Sequence, residues 1–200
     1  MTKETLALLV TILVAVAGYA FKYFHDRAVT RRKDRLDRIN LQLRHLYGPL
    51  YSIRQASERA WMGFRQKYRP GKSFFRSSPP PSEEELVAWR LWMAEVFMPL
   101  NLQMEKIIVD NGDLIIENEM PGCLLELCAH VDAYKVVVKK WTLSDFSEHI
   151  GLSPFPRGEF AAYVDTSYAN LKKEQAYLLG LLRIKLAPDT EAQFTPGPNE

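Results

Sequence analysis

Hydrophobic positions along the chain follow two patterns, one continuous and one periodic. From Leu6 to Phe21 no charged residue interrupts the sequence. With the flanking residues to Phe24, the run reaches the roughly 20 residues that a helix needs to cross a bilayer. A surface helix keeps a polar face, and this run offers none. The pattern therefore predicts a single N-terminal transmembrane helix within residues 1–24.

The charges on either side of this run predict its orientation. Seven basic and three acidic residues lie between Lys22 and Arg38, whereas only Lys3 and Glu4 precede the run. The positive-inside rule then places the N-terminus outside and the C-terminal domain in the cytoplasm, at an inner or plasma membrane. A cleaved secretory signal peptide is the alternative. The balanced charge before the run and the basic sequence after it favour the anchor.

After the anchor the hydrophobic pattern becomes helical. Apolar residues recur every three or four positions from Val29 to Ile53, with one break at Arg32, which is typical of a helix that packs against others. The stripe is too short to predict a long coiled coil. Residues 25–68 are therefore interpreted as a basic stalk and first bundle helix, with a kink or break at Gly48 and Pro49 because proline removes a backbone donor and crowds the preceding turn.

A proline-rich loop over residues 69–81 separates this helix from the next. Two phenylalanines inside it, Phe74 and Phe75, either pack back onto the bundle or contact another molecule. Directly after the loop, Ser82 and Glu85 have the spacing of a capping box, which predicts the start of a second long helix.

The remaining pattern predicts a bundle body over residues 82–186 and a disordered tail over 187–200. The second helix should kink at Pro99 and end near Asp110. The later helices are predicted at Asp113 to Glu119, at Pro121 to Trp141 and at Glu159 to Leu186. The predicted fold class is thus all-α, with a transmembrane helix followed by a cytosolic antiparallel helical bundle.

Charge is strongly sorted along the chain, although its net value is only +2. Residues 22–76 carry fifteen basic and four acidic side chains, whereas residues 82–138 carry three and eleven. Basic residues beside a membrane attract anionic lipid, so residues 22–35 are expected to contact the inner leaflet. The other basic residues are expected to face the acidic helices or an acidic partner. The small net charge and the lack of a binding motif do not favour nucleic acid.

Candidate chemistry is sparse. Glu126 and His130 are four residues apart on a predicted helix, but a metal site needs three or four ligands. His130 is therefore interpreted as a hydrogen-bonded core or boundary histidine. The sequence predicts no metal site, no cofactor and no catalytic residue.

These observations favour a membrane-anchored interaction or scaffold module that binds a partner protein or a second copy of itself. The residues predicted to contact a partner or lipid are Arg31, Arg32, Lys33, Arg35, Phe74, Phe75, Trp89 and Trp92. The aromatic members of this set should then form an exposed patch. The alternative is a membrane-proximal enzyme or assembly subunit whose dispersed site would join acidic residues, His130 and arginines in one cleft. The acidic candidates are Glu117, Glu126 and Asp132.

Overall fold

The structure is an all-helical bundle, as predicted. The computed structural model describes residues 3–181, and residues 4–11 through their backbone alone. Helices α1 and α2 join through a π-helical turn at Gln42–Tyr47, and α3 and α4 through another at Met93–Phe97, so the bundle has four long helical segments. The helices are α1 (Lys3–Leu41), α2 (Gly48–Tyr68), α3 (Glu83–Trp92), α4 (Met98–Asp110), α5 (Gly122–Thr142) and α6 (Arg157–Leu178).

Both π turns come immediately before a proline. In a regular α-helix the proline ring clashes with the carbonyl four residues earlier. Here the residue before each proline donates instead to a carbonyl five residues back, Gly48 to Leu43 and Met98 to Met93. The wider turn leaves the helix continuous. The predicted irregularity at Pro49 and Pro99 is therefore present, but it takes the form of a π turn and not of a break.

The first long segment packs antiparallel to α6. Contacts that lie further along the first segment meet residues earlier in α6: Asn40 accepts from Gln175 at 2.7 Å, Tyr51 stacks on Tyr168 at 4.3 Å, and Arg54 pairs with Asp165. Fully buried residues from all four segments form one core. Its central members include Leu46, Leu50, Phe64, Met104, Leu124, Leu127, Val131, Phe160 and Val164.

The basic stalk is part of this packing. Arg32 donates two hydrogen bonds to the Leu178 carbonyl, at 3.1 and 2.5 Å, and Arg35 forms an ion pair with Glu174. A cation at a helix C-terminus accepts no hydrogen bond but donates to the free carbonyls there, and it interacts favourably with the negative end of the helix dipole. These two arginines therefore fasten α1 to the last turn of α6.

On the N-terminal side of this attachment, α1 makes little contact with the bundle. From Ile12 to Thr30 every side chain is exposed except Ala20, which is half-buried. The beginning of the predicted anchor, residues 4–11, has side chains outside the described set. In the part of the chain that the structure describes, no helix is both long enough and apolar enough to cross a membrane.

The ends of the other helices confirm some predictions and correct others. The Ser82 hydroxyl accepts from the Glu85 amide at 3.3 Å, and the Glu85 carboxylate accepts from the Ser82 amide at 2.7 Å, so the capping box is confirmed. The helix predicted from Asp113 to Glu119 is wrong, because a single 3₁₀ turn at Gly112–Leu114 ends in extended backbone.

The predicted last helix also ends too late. Gly180 has a φ of +73°, which glycine adopts without strain. Leu181 donates to the Ala176 carbonyl at 2.9 Å and Gly180 to the Tyr177 carbonyl at 3.0 Å, as in a Schellman motif. This motif ends α6 at Leu178. The remainder of the prediction, residues 182–186 of the helix and the disordered tail, lies outside the described residues.

Candidate functional site

A cavity of about 690 Å³ opens between α2, α3, α5, the start of α6 and two loops. This volume lies within the usual range for small-molecule sites. Aromatic side chains form much of its wall, contributed by Trp61, Phe74, Phe75, Trp89, Phe97 and Phe155. Neighbouring rings contact one another in tilted or edge-on pairs, for example Phe75 on Trp89 at 5.2 Å and Trp61 on Trp89 at 6.0 Å. Such pairs stabilise the packing of the wall.

One side of the cavity depends on a buried arginine in the proline-rich loop. Arg69 donates to the carbonyls of Phe74, at 2.9 Å, and Pro79, at 2.5 Å, and its Nε lies 3.5 Å from the carboxylate of Glu85. These bonds fold the loop back over the bundle. Phe74 is consequently 2% exposed and Trp89 6% exposed.

The expectation of an exposed aromatic patch is therefore wrong. Phe74 and Trp89 are buried, and Phe75 and Trp92 are half-buried and pack against the core. These four side chains therefore do not form an exposed apolar patch on the surface. Whether these residues contact a partner or lipid stays a prediction.

The opposite side is formed by the segment between α5 and α6. His130 Nδ1 lies 2.8 Å from the Ser153 carbonyl, and Trp89 Nε1 donates to the His149 carbonyl at 2.8 Å. Burial lowers the pKa of His130 below its ordinary value, against the opposing effect of the Ser153 carbonyl, so the neutral imidazole donates through Nδ1. The interpretation of His130 as a hydrogen-bonded core histidine is confirmed. Gly151 approaches Tyr134 so closely that a Cβ there would lie 2.9 Å from the ring.

Two of the guanidinium groups in the cavity wall lie near carboxylates. Arg54, on α2, is 8% exposed and pairs through Nη2 with Asp165 of α6. Arg157 lies 4.7 Å over the ring of Trp61, and its Nη1 is 4.0 Å from the carboxylate of Glu58. Burial lowers the pKa of Arg157 below its usual value; Glu58 opposes this shift and a neighbouring arginine adds to it.

Two enclosed nitrogens of the wall have no hydrogen-bond partner, Arg54 Nε and Trp61 Nε1. Both groups only donate, so what they lack is an acceptor. At the cavity, Arg54, Arg76 and Arg157 stand against Glu58 and against Asp165, which pairs with Arg54. The cavity therefore combines aromatic surface, excess positive charge and free donors.

The acidic residues of the enzyme hypothesis do not join this cavity. His130 lines it, whereas Glu117, Glu126 and Asp132 are not among its lining residues. Glu117 instead accepts from Tyr163 at 2.8 Å, Glu126 is exposed, and Asp132 pairs with a lysine. Within residues 3–181, no group of three or more potential metal-binding side chains comes together.

The predicted lipid-contact residues divide into two pairs. Arg31 and Lys33 are exposed, while Arg32 and Arg35 are bonded to α6 as described above. Charge complementarity between helices is present, though its partners differ from those expected. Arg69 pairs with the acidic segment at Glu85, whereas Arg35 and Arg54 pair with carboxylates of α6.

Sequence reasoning did not find the charged residues of the cavity. Arg54, Glu58 and Trp61 occur at positions i, i+4 and i+7 of α2, a spacing that places them on one helix face. This spacing could have indicated a shared charged and aromatic face on α2. No such spacing pointed to Arg157, because only the antiparallel packing of α6 brings it beside Trp61.

No protein-family model matches this chain, and no curated protein and no solved structure has significant similarity to it.

Proposed function

We propose that this protein is a membrane-anchored interaction module, in which the N-terminal half of α1 inserts into the bilayer and the bundle is held at the cytoplasmic face. The observation that carries the proposal is the exposure of apolar side chains all around the helix. Ile12, Leu13, Val16 and Phe21 are between 51% and 75% exposed. An apolar surface of this size is rarely exposed to water and usually marks an interaction site. A bilayer would cover the apolar side chains on every face of the helix.

The residues that follow support an interfacial position for the end of this segment. Tyr23 and Phe24 are exposed, and aromatic rings are favoured at the headgroup layer. Arg31 and Lys33, also exposed, are placed to attract anionic lipid at about 1 kcal/mol each. Arg32 begins the attachment to α6 only eight residues after Phe24, so the bundle would start about 12 Å from the interface.

A separate apolar surface on the bundle supports interaction with a protein. Val87 and Leu91 on α3 are 53% and 60% exposed. The Arg90 guanidinium lies 4.4 Å over the ring of Phe146, which brings the exposed segment after α5 alongside α3. We propose this surface as the contact for a partner protein or for a second copy of the chain, in place of the buried Trp89 and Phe74.

Membrane insertion is tested by carbonate extraction of membranes that contain the full-length protein. Wild type should stay in the membrane pellet. The double variant Leu13→Lys and Val16→Lys should move to the supernatant, because each lysine near the bilayer centre costs about 2.5–3.5 kcal/mol. Val29→Lys, on the exposed stalk, is the matched control and should stay in the pellet. Wild-type protein in the supernatant would refute the anchor.

The contact surface is tested by purification in mild detergent with light scattering and mass spectrometry. A stoichiometric partner, or a dimer of the chain, should be recovered with wild type and lost with Leu91→Glu. Val109→Glu, at an exposed position of α4, controls for the added charge and should behave as wild type. A lone monomer in all three samples would contradict the interaction role without affecting the anchor.

A further inference from the structure

The aromatic cavity has its own chemistry, which the membrane-anchored role does not use. It has a volume of about 690 Å³, is lined by helices and two loops, and carries Arg54 and Arg157 among the arginines of its wall. Buried charged groups are usually paired or fully hydrogen-bonded. These guanidinium groups are therefore candidates for binding an anion.

Arg54 is only partly satisfied. Its side chain is 10% exposed, one Nη is used by Asp165, and Nε is enclosed without a partner. An unpaired buried donor costs about 1–3 kcal/mol. Trp61 adds a second unpaired donor on the same helix.

Arg157 is short of negative charge as well. Its single carboxylate neighbour, Glu58, lies at 4.0 Å, which is beyond hydrogen-bond distance. The guanidinium stacks on Trp61, an arrangement that leaves the edge of its planar fork free for a carboxylate or phosphate. The pKa of Arg157 is lowered by burial, as expected for a cation that lacks a full counter-charge.

The rest of the wall suits a flat apolar body. Phe75, Trp89 and Phe155 line the same cavity as the two arginines, and aromatic surfaces pack well against another ring in offset or edge-on geometry. A metal ion or an organic cation would be repelled by the excess of arginines.

We propose that this cavity binds a small organic anion with an aromatic body, whose acidic head is held by Arg54 and Arg157. Carboxylate and phosphate heads share this chemistry. The bound anion supplies the acceptor that the wall lacks, and its ring occupies the space between Trp61, Trp89 and Phe155.

The proposal is tested by isothermal titration calorimetry on the full-length protein in nonionic detergent, with empty micelles as the blank. Three probes share one ring system and differ in their head: 2-naphthoate, 2-naphthyl phosphate and the neutral 2-naphthalenemethanol. At least one anion should bind saturably, and the alcohol should bind at least about tenfold more weakly, since hydrogen bonds to charged groups are the stronger ones. The ratio between the two anions identifies the preferred head.

Arg54→Met should reduce the affinity for the anion roughly tenfold or more and leave the affinity for the alcohol unchanged. Arg59→Met, an exposed position on the same helix outside the cavity, is the matched control and should bind as wild type. Arg157→Met serves as a second variant if loss of the Arg54 to Asp165 pair unfolds the bundle, because the Arg157 side chain is 47% exposed.

Three results would each overturn the proposal. These are the absence of saturable binding by either anion at millimolar concentration, equal binding of the anions and the alcohol, and wild-type affinity in the folded arginine variants. None of these results depends on whether the N-terminal segment enters a membrane. The binding experiment and the carbonate extraction can therefore refute their two proposals independently.

Discussion

Replacing Gly48 by alanine should destabilise the bundle, because the π turn before Pro49 leaves no room for a side chain. A Cβ at this position would lie 2.2 Å from the carbonyl oxygen of Leu43, and real Cβ atoms essentially never approach a neighbour closer than 3.0 Å. The obstructing atom belongs to the backbone, and it also accepts the hydrogen bond from the Gly48 amide. It cannot move away by about 0.8 Å without opening the turn.

The size of the effect follows from three contributions. Overpacking a well-packed site costs typically about 1–3 kcal/mol, and loss of the Gly48 to Leu43 hydrogen bond costs about 1 kcal/mol more. Alanine returns at most about 1 kcal/mol through its higher helix propensity. We therefore expect a net loss of about 1–3 kcal/mol, or a fall in Tm of roughly 3–9 °C for a chain of this length.

The assay is urea unfolding of the full-length protein in detergent, followed by tryptophan fluorescence. All four tryptophans lie in the bundle, so the signal reports on unfolding of the bundle and not on the N-terminal segment. The matched control is Gly63→Ala, in the same helix, where a Cβ meets nothing within 4 Å. Because this exposed site has no obstruction, the control should gain up to about 1 kcal/mol. Equal midpoints for the two variants, or a Gly48→Ala variant as stable as wild type, would refute the reasoning.

Three further predictions concern burial, the loop and the capping box. Burial raises the pKa of Tyr134 to about 12, so between pH 10 and 12 the unfolded state loses a proton that the folded state keeps. The free energy of unfolding should therefore fall over this range by up to about 1.4 kcal/mol per pH unit. In urea titrations at different pH, Tyr134→Phe should remove this part of the pH dependence. Arg69→Met should expose the proline-rich loop, because the carbonyls of Phe74 and Pro79 lose their donor; trypsin should then cut the loop faster than in wild type, and an unchanged rate would contradict the role given to Arg69. Ser82→Ala should lower the unfolding free energy by about 1 kcal/mol, measured by the same urea titration.

The sequence predicted those parts of the fold whose signals are local. The capping box at Ser82 and Glu85 depends on residues three positions apart, and the proline-rich loop on composition alone, so both could be placed without knowing the packing. The conformation of the chain at Pro49 could not be predicted in this way, because a π turn there requires tertiary contacts that keep the helix continuous through a proline. The end of α6 at Leu178 was missed although Gly180 offered a recognisable signal.

The cavity was beyond sequence reasoning for a different reason. Its charged residues come from α2 and α6, and their meeting depends on the antiparallel alignment that pairs Arg54 with Asp165. The burial of Phe74 and Trp89 depends likewise on one arginine, Arg69, whose hydrogen bonds close the loop. Hydrophobic periodicity identifies a face that will be buried, but not the element that covers it.

In the proposed membrane-anchored arrangement, the continuous helix from α1 through α2 would set the distance between the membrane and the cavity. Phe24, at the proposed lipid interface, and Arg54, in the cavity wall, are thirty residues apart on one helical segment, which corresponds to about 45 Å along the axis. A lipid cannot cross that gap while its chains remain in the bilayer. If the proposed anchor holds this helix along the membrane normal, the proposed ligand would reach the cavity from solution, and its supply would follow its concentration there and not the composition of the membrane.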